Sequence, residues 1–461
     1  MIFAGFYMEE EPTAPSPDSE LKEYLHSLQN SGAKLGLERV KRLLKELGNP
    51  QDDFKCILVG GTSGKGSTVA MLSSVLSFSG NKVGRFTSPH LSSLTERIAV
   101  DGEQISIEQF SEVIGRIKQA IERMSVDPDF EHPAFFEVIT AAAFLHFQEE
   151  EVDFAVLEVG LGGRLDATNV TNPLVSVITN VSLEHTRILG DTVEKIALEK
   201  AGIIKKNGIL VTASQDKKVL SVFEKVCKER KSKILRLGKE ILLKKSESSL
   251  AGQTFDVSVN GKTYHQLSIP LAGGHQLENA ACALGAVHAL DLQGILISEK
   301  GVKMGLRRVF WPGRLEIIQG EPLVILDCAK DPEAMKRLAE TVETLEFGKL
   351  VLVLGISSDK NIKKMVNAIV PNADLVIATA HKVMDRAANP KDISKEVGKL
   401  KKDCLVIDDV KEAVKKAISL AEEKDLILVT GSLFTVGEAR EVWENKKEKS
   451  LGRDFNEVLR N

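Results

Sequence analysis

Apolar positions along this chain fall into two rhythms. Short, nearly continuous apolar runs read as buried strands, and longer stretches with apolar residues at helical spacing read as helices. KCILVG (55–60) is a strand of the first kind. STVAMLSSVLSFSG (67–80) follows it as a helix, with Val69, Leu72, Val75 and Leu76 on one face and Gly80 as its stop. DFAVLEVG (153–160) and LVSVITN (174–180) are further buried strands. TFDVSVNGKTYHQLSIP (254–270) instead alternates around Asn260–Gly261, the pattern of a hairpin. After a proline–glycine break in FWPGRLE (310–316) come LVILD (323–327), KLVLVLG (349–355), ADLVIAT (373–379), DCLVID (403–408) and DLILVTG (425–431), separated by helical stretches. Strands alternating with helices predict an α/β protein built on parallel sheets. The break predicts two units, 21–310 and a smaller 311–461, after a loose tail over 1–20.

Composition changes this picture little. A chain of 461 residues is too long for one ordinary domain, and 43% hydrophobic with 27% charged residues is ordinary for a globular protein. A net charge of −4 favours neither nucleic acid nor an acidic membrane surface as a partner. The five cysteines, Cys56, Cys227, Cys282, Cys328 and Cys404, lack metal-ligand spacing and read as reduced cytosolic thiols. The opening MIFAGFYMEEEPTAPSPDSE has no basic start and no long apolar core, so it does not read as a signal peptide. No apolar run is long enough to span a bilayer.

The first chemistry appears between the strand at 55–60 and the helix after it. VGGTSGKGSTV (59–69) is a glycine-rich turn with one lysine and then two hydroxyls, Ser67 and Thr68. Glycines let successive N–H groups turn inward, and the helix start adds partial positive charge, so the segment can cradle phosphates. Lys65 can neutralise the outer phosphates, and Ser67 or Thr68 can hold Mg²⁺. The spacing departs from the usual phosphate loop, because Gly66 stands between Lys65 and Ser67.

Further segments carry a resemblance: LGLERV (35–40), TSPHL (87–91), ERI (96–98), FFEVITAAAF (135–144), LEVGLGGRLDATN (157–169), EHTRILGDTVEKIALEKAGIIK (184–205), GGHQLENA (273–280), WPGRLE (311–316) and VTGSLFTVGEAR (429–440). In that order they resemble the folylpolyglutamate synthase/dihydrofolate synthase family, within the wider Mur ligases. The resemblance implies an N-terminal P-loop ATPase domain and a smaller Rossmann-like C-terminal domain. It implies transfer of the γ-phosphoryl of ATP to a carboxylate, then attack by the amine of L-glutamate. Phosphorylation supplies a leaving group to a carboxylate that is otherwise a very poor electrophile.

It also implies roles. Gly61, Thr62, Gly64, Lys65, Gly66, Ser67 and Thr68 hold phosphates, while Asn279, Arg314 and Asp327 grip the nucleotide from the hinge and second domain. Ser67, Ser88 and Glu158 bind Mg²⁺, and His185 binds a second metal ion. Lys200 becomes carbamylated and positions Mg²⁺; its place on an apolar helix face, beside Val193, Ile196 and Ala197, favours a neutral amine. Gly36, Leu37, Phe135, Phe136, Glu137, Leu165, Asp166 and Ala167 line the pterin–aryl pocket, although Phe135 and Phe136 also suit a plain core. ATP, Mg²⁺ and a monovalent cation are the implied cofactors. The implied partners are small molecules only, folate or dihydropteroate with L-glutamate, acting on a monomer in the cytoplasm.

Two departures stand out. Glu184 replaces the usual Asp before His185. LDCAKDP (326–332) replaces the usual D-G-A-H-N-P, placing Cys328, Lys330 and Asp331 where Gly, His and Asn are expected. One reading is that Lys330 takes over the histidine's contact with the nucleotide; the other is drift at a weakened or redirected site. Two broader alternatives remain: another Mur-type amino-acid ligase, or a nucleotide-binding regulatory homologue without ligase activity.

Overall fold

The computed structural model describes residues 21, 23–25, 27–28, 36–383 and 386–447. The tail expected over 1–20 lies outside the described residues. The first sheet has eight strands in the order β4-β3-β2-β5-β1-β6-β7-β8. They are β1 Lys55–Gly60, β2 Val83–Phe86, β3 Ile98–Val100, β4 Glu103–Gln104, β5 Phe154–Glu158, β6 Val175–Ile178, β7 Ile209–Thr212 and β8 Lys233–Arg236. Every pairing is parallel except β2–β3 and β3–β4 at one edge, where β3 runs against the rest. Apolar clusters cover both faces, which is why β1, β5 and β6 read as continuous apolar runs rather than alternating ones.

The helix after β1 spans Lys65–Ser77, not 67–80, and is buried nearly all round rather than on one face. It is held between the sheet and the helices Gly274–Asp291 and Glu299–Arg308. Ser74 Oγ donates to the Gly305 carbonyl at 2.7 Å. A side chain at Gly305 would meet the Val75 backbone at 2.5 Å, so this second helix layer requires glycine there. Gly80 has φ of 90° and ends the turn after the helix.

The alternating segment forms the expected hairpin, β10 Gly252–Val259 and β11 Lys262–Ile269. A third antiparallel strand, β9 Ile241–Ser249, joins it. Its residues are mostly exposed, and from Lys244 onward all are charged or serine, so no apolar pattern announces it.

The five strand candidates beyond the break all form strands: β13 Leu323–Leu326, β14 Leu350–Leu354, β15 Leu375–Ala380, β16 Asp403–Asp409 and β17 Leu426–Thr430. With β12 Glu316–Gln319 antiparallel at one edge, the order is β12-β13-β17-β14-β15-β16. This sheet has its own apolar clusters on both faces. No helix among the described residues is long and apolar enough to cross a membrane.

Candidate active site

Four adjacent parallel strands of the first sheet end at one edge, where open α/β sheets bind ligands. β2 leads to Ser88, β5 ends on Glu158, β1 enters the glycine loop and β6 leads to His185. The loop is anchored to β6, since Asn180 accepts from the Ser63 N–H at 2.8 Å through Oδ1 and from the Thr62 N–H at 2.9 Å through its carbonyl. Gly64 caps the helix with φ of 84°, and any side chain there would run into Asn279. Gly66 faces the Trp311 ring, where a Cβ would lie 2.8 Å away. Thr68 spends its hydroxyl on the Gly64 carbonyl at 2.9 Å, so Ser67 is the better placed of the two hydroxyls for Mg²⁺. Lys65 Nζ donates to the Thr62 carbonyl at 3.2 Å and lies 4.0 Å from Glu158 Oε1.

Glu158 is buried and accepts from the Ser88 N–H at 3.1 Å through Oε2. Burial pushes its pKa up, while Lys65, Ser88, Lys330 and Arg314 pull it back. Among the described residues Oε1 accepts no hydrogen bond. A hydroxyl–carboxylate set of Ser67, Ser88 and Glu158 suits a hard cation such as Mg²⁺. No group of three His, Cys, Asp or Glu side chains gathers among the described residues, so phosphate oxygens and water would complete the shell.

Two cavities meet here. The larger, of about 590 Å³, is lined by the glycine loop, Ser88, Glu158 and Asn279 on one side and by Arg314, Asp327, Lys330 and Arg337 on the other. Burial works against the Arg314 charge, but Cys328, Asp327 and Glu158 outweigh it and its pKa sits above the ordinary value. Asp327 accepts from the Leu315 N–H at 3.0 Å and the Ala329 N–H at 2.9 Å. It therefore shapes the loop that carries Arg314 as well as facing the cavity.

The smaller cavity, of about 50 Å³, is lined by Gly61, the Val159–Gly162 loop, Glu184, His185 and Lys200. Lys200 lies on the helix Val193–Ala201, with Thr192 as its cap. The lysine is 5% exposed and donates to the Gly61 carbonyl at 2.8 Å. Burial, with Lys65 nearby, lowers its pKa to about 7. His185 Nε2 lies 3.7 Å from Glu184 Oε1. Lys65, Ser88, Pro89 and Lys330 line both cavities and form the partition between them.

The aryl-pocket residues divide. Phe136 packs on Gly160, where a Cβ would be 2.5 Å from its ring, and touches Phe86 at 5.8 Å between centroids. Phe135 lies under the Arg97 guanidinium at 5.4 Å. Glu137 is bound to Arg39 and caps its own helix through the Ala134 N–H at 2.7 Å. Asp166 accepts from the Leu161 N–H at 2.9 Å and from the Thr168 N–H and hydroxyl, so it holds the Gly160–Gly163 loop. Ala167 is core, Leu165 and Gly36 are half-buried, and Leu37 packs against the core.

The 326–332 departures have separate explanations. Cys328 is buried, and Gly313 leaves it room: a Cβ there would lie 2.6 Å from its sulfur. Asp331 caps the helix Pro332–Val342, accepting from the Glu333 and Ala334 N–H groups at 3.0 and 2.9 Å. Asparagine caps equally well, so this change preserves the role. Lys330 points its ammonium to within 4.0 Å of Glu184 Oε1. Sequence reasoning missed Lys360, which follows β14 and reaches the same carboxylate at 3.7 Å. It also missed the buried trio Ser357, His381 and Ser432, joined by hydroxyl contacts of 3.2 and 3.3 Å. Their position past the ends of β14, β15 and β17 was the available signal.

This pairing of a phosphate loop with a second α/β domain closing on it defines a class. The family model for the Mur ligase middle domain matches residues 59–287, and that for the Mur ligase glutamate ligase domain matches 313–433. The dihydrofolate synthase/folylpolyglutamate synthase of Bacillus subtilis (strain 168) is 34% identical over 426 residues, 91% of this chain and 98% of that protein. A structure of E. coli FolC with DHPP and ADP superposes with a TM-score of 0.84 at 31% identity, covering 94% of this chain and 100% of that one. A bifunctional folylpolyglutamate synthase/dihydrofolate synthase with Mn, AMPPNP and L-glutamate bound gives 0.81 at 29% identity, over 93% and 99%. The chain belongs to the folylpolyglutamate synthase/dihydrofolate synthase family of Mur ligases, and it is an ATP-dependent ligase.

Proposed function

We propose that this chain joins L-glutamate to the carboxylate of a pterin-linked acceptor, dihydropteroate or a folate, while cleaving ATP to ADP and phosphate. One observation carries the reading: the cavity holding the phosphate loop shares a wall of four residues with a smaller cavity lined by Lys200, His185 and Glu184. An acceptor carboxylate at the partition attacks the γ-phosphorus, and ADP leaves. The glutamate nitrogen then attacks the acyl carbon, phosphate leaves, and the nitrogen gives up a proton. Lys65 and Arg314 hold the phosphate charge through both steps. Ser67, Ser88 and Glu158 would hold Mg²⁺, which would supply charge neutralisation at the phosphates. The acceptor's rings lie along Phe135 and Phe136.

The amino acid enters at the carboxyl ends of β13, β14, β15 and β17, where Lys330, Lys360, Ser357 and Ser432 provide cationic and hydroxyl groups. The neutral Lys200 amine attacks carbon dioxide, forming a nitrogen–carbon bond and releasing a proton, and the resulting carbamate is the anion that faces His185. The five free cysteines fit a reducing, cytoplasmic setting.

The test is phosphate release from ATP with and without glutamate and acceptor. Release should require both, and turnover on dihydropteroate against tetrahydrofolate then divides the two acceptors. Release without glutamate would point to a plain ATPase, and turnover on cell-wall precursors to another ligase. Arg314→Ala should lower kcat by about a hundredfold to a thousandfold, with Arg314→Lys intermediate. Equal steady-state kcat in Arg314→Ala and wild type would remove this residue from the reaction.

A further inference from the structure

Two of the positions where this chain leaves the usual pattern meet in space. Glu184 comes from the loop after β6 of the first domain, and Lys330 from the loop after β13 of the second. Their side chains approach to 4.0 Å, with Glu184 side-chain exposure at 13%. Glu184 Oε1 is buried and takes no hydrogen bond among the described residues. What faces it is charge: Lys330 at 4.0 Å, Lys360 at 3.7 Å and His185 at 3.7 Å. A buried carboxylate is costly unless paired, and the two lysines within 4.0 Å of Glu184, Lys330 and Lys360, both come from the second domain, beside His185 and Lys65 from the first.

Geometry links the two changes. Glutamate is one methylene longer than aspartate and reaches further across the junction. Lysine likewise extends a flexible stem to a compact ammonium, where histidine presents a ring. Lys330 lines both cavities, yet the nearest carboxylate to its ammonium is Glu184, in the smaller one.

We propose that Glu184 and Lys330 act as one interdomain positioning unit for the amino-acid transfer step, and that Lys330 is not a nucleotide contact. The pair sets where the second domain places its amino-acid groups relative to the acyl phosphate. Each residue is matched to the other, so neither can be reverted alone to the usual aspartate or histidine without losing the match. This rests on the ligase reading above.

The experiment is a double-mutant cycle on the full chain: wild type, Glu184→Asp, Lys330→His and the double variant. Steady-state kinetics are read for glutamate and for ATP, with thermal melting and calorimetric binding of a non-hydrolysable ATP analogue for each protein. Each single variant should lose about tenfold in kcat/KM for glutamate, and the double should lose about the same tenfold and no more, because either change alone already removes the shared contact. KM for ATP and analogue affinity should stay within about twofold throughout, since the pair touches no nucleotide. Losses that multiply in the double variant overturn the proposal. So does a rise in KM for ATP or weaker analogue binding in Lys330→His. If a variant melts early, Glu184→Gln with Lys330→Met supplies a neutral pair to which the same criterion applies. Inactive wild type would defeat the ligase reading; multiplicative losses in an active enzyme defeat this proposal alone.

Discussion

Lys65→Ala should lose turnover by at least about a thousandfold while remaining folded. The ammonium stands at the start of the helix Lys65–Ser77, 3.2 Å from the Thr62 carbonyl and 4.0 Å from Glu158. Among the described residues its ammonium donates one hydrogen bond, to its own loop, so the loop geometry survives its loss through the Asn180 anchors. What is lost is a mobile positive charge facing the phosphates as negative charge shifts between them. Such a contact strengthens in the transition state, so the effect falls on kcat more than on the KM for ATP. Single-turnover phosphate release, beside a far-ultraviolet spectrum matching wild type, checks it. Wild-type turnover in folded Lys65→Ala would dismiss the phosphate-loop assignment.

Lys200→Ala should be inactive and partly rescued by short carboxylic acids. Burial has already lowered the Lys200 pKa to about 7, so a large share of the amine is neutral near neutral pH and able to take up carbon dioxide. Alanine removes the group that reaches the Gly61 carbonyl, and acetate or propionate would stand in for the proposed carbamate. The same shift has a stability sign. Between about pH 7 and the ordinary lysine value near 10.4, the unfolded amine holds a proton that the folded one has released. Stability contributed by this group therefore rises with pH across that window, and it is lowest below pH 7, where the folded amine must be charged. Lys200→Met should flatten that rise in pH-dependent melting. Full activity in Lys200→Ala, with no response to added acids, would remove the carbamate from the account.

Much of the fold was readable because buried parallel strands are continuous apolar runs. β1, β5, β6 and the five strands beyond the break all follow that rule. β2 escaped it because VGRF contains Gly84, pressed under the Phe147 ring, and Arg85, which lies 5.3 Å from the Trp311 ring. The helix Lys65–Ser77 was given one apolar face because nothing local reveals that a second helical layer covers the other. In the site, strand ends and short motifs put Lys65, Glu158 and His185 at one sheet edge, and the structure gathers them with Lys200 around two adjoining cavities. Asp166 and Glu137 were given substrate roles, and the structure occupies their carboxylates with the backbone of a loop and with Arg39. Lys360 went unnoticed since its partner Glu184 lies in another domain, and no local pattern encodes that meeting.

The partition between the two cavities has a further consequence. Lys65, Ser88 and Pro89 come from the first domain and Lys330 from the second, so the wall is complete only while the domains stay together. An acyl phosphate behind an incomplete wall meets water before it meets an amine. The stoichiometry of ATP cleaved per amide formed then reports domain contact, independently of how fast either reaction runs. A loosened junction would appear first as leakage of phosphate to water, with nucleotide affinity still intact.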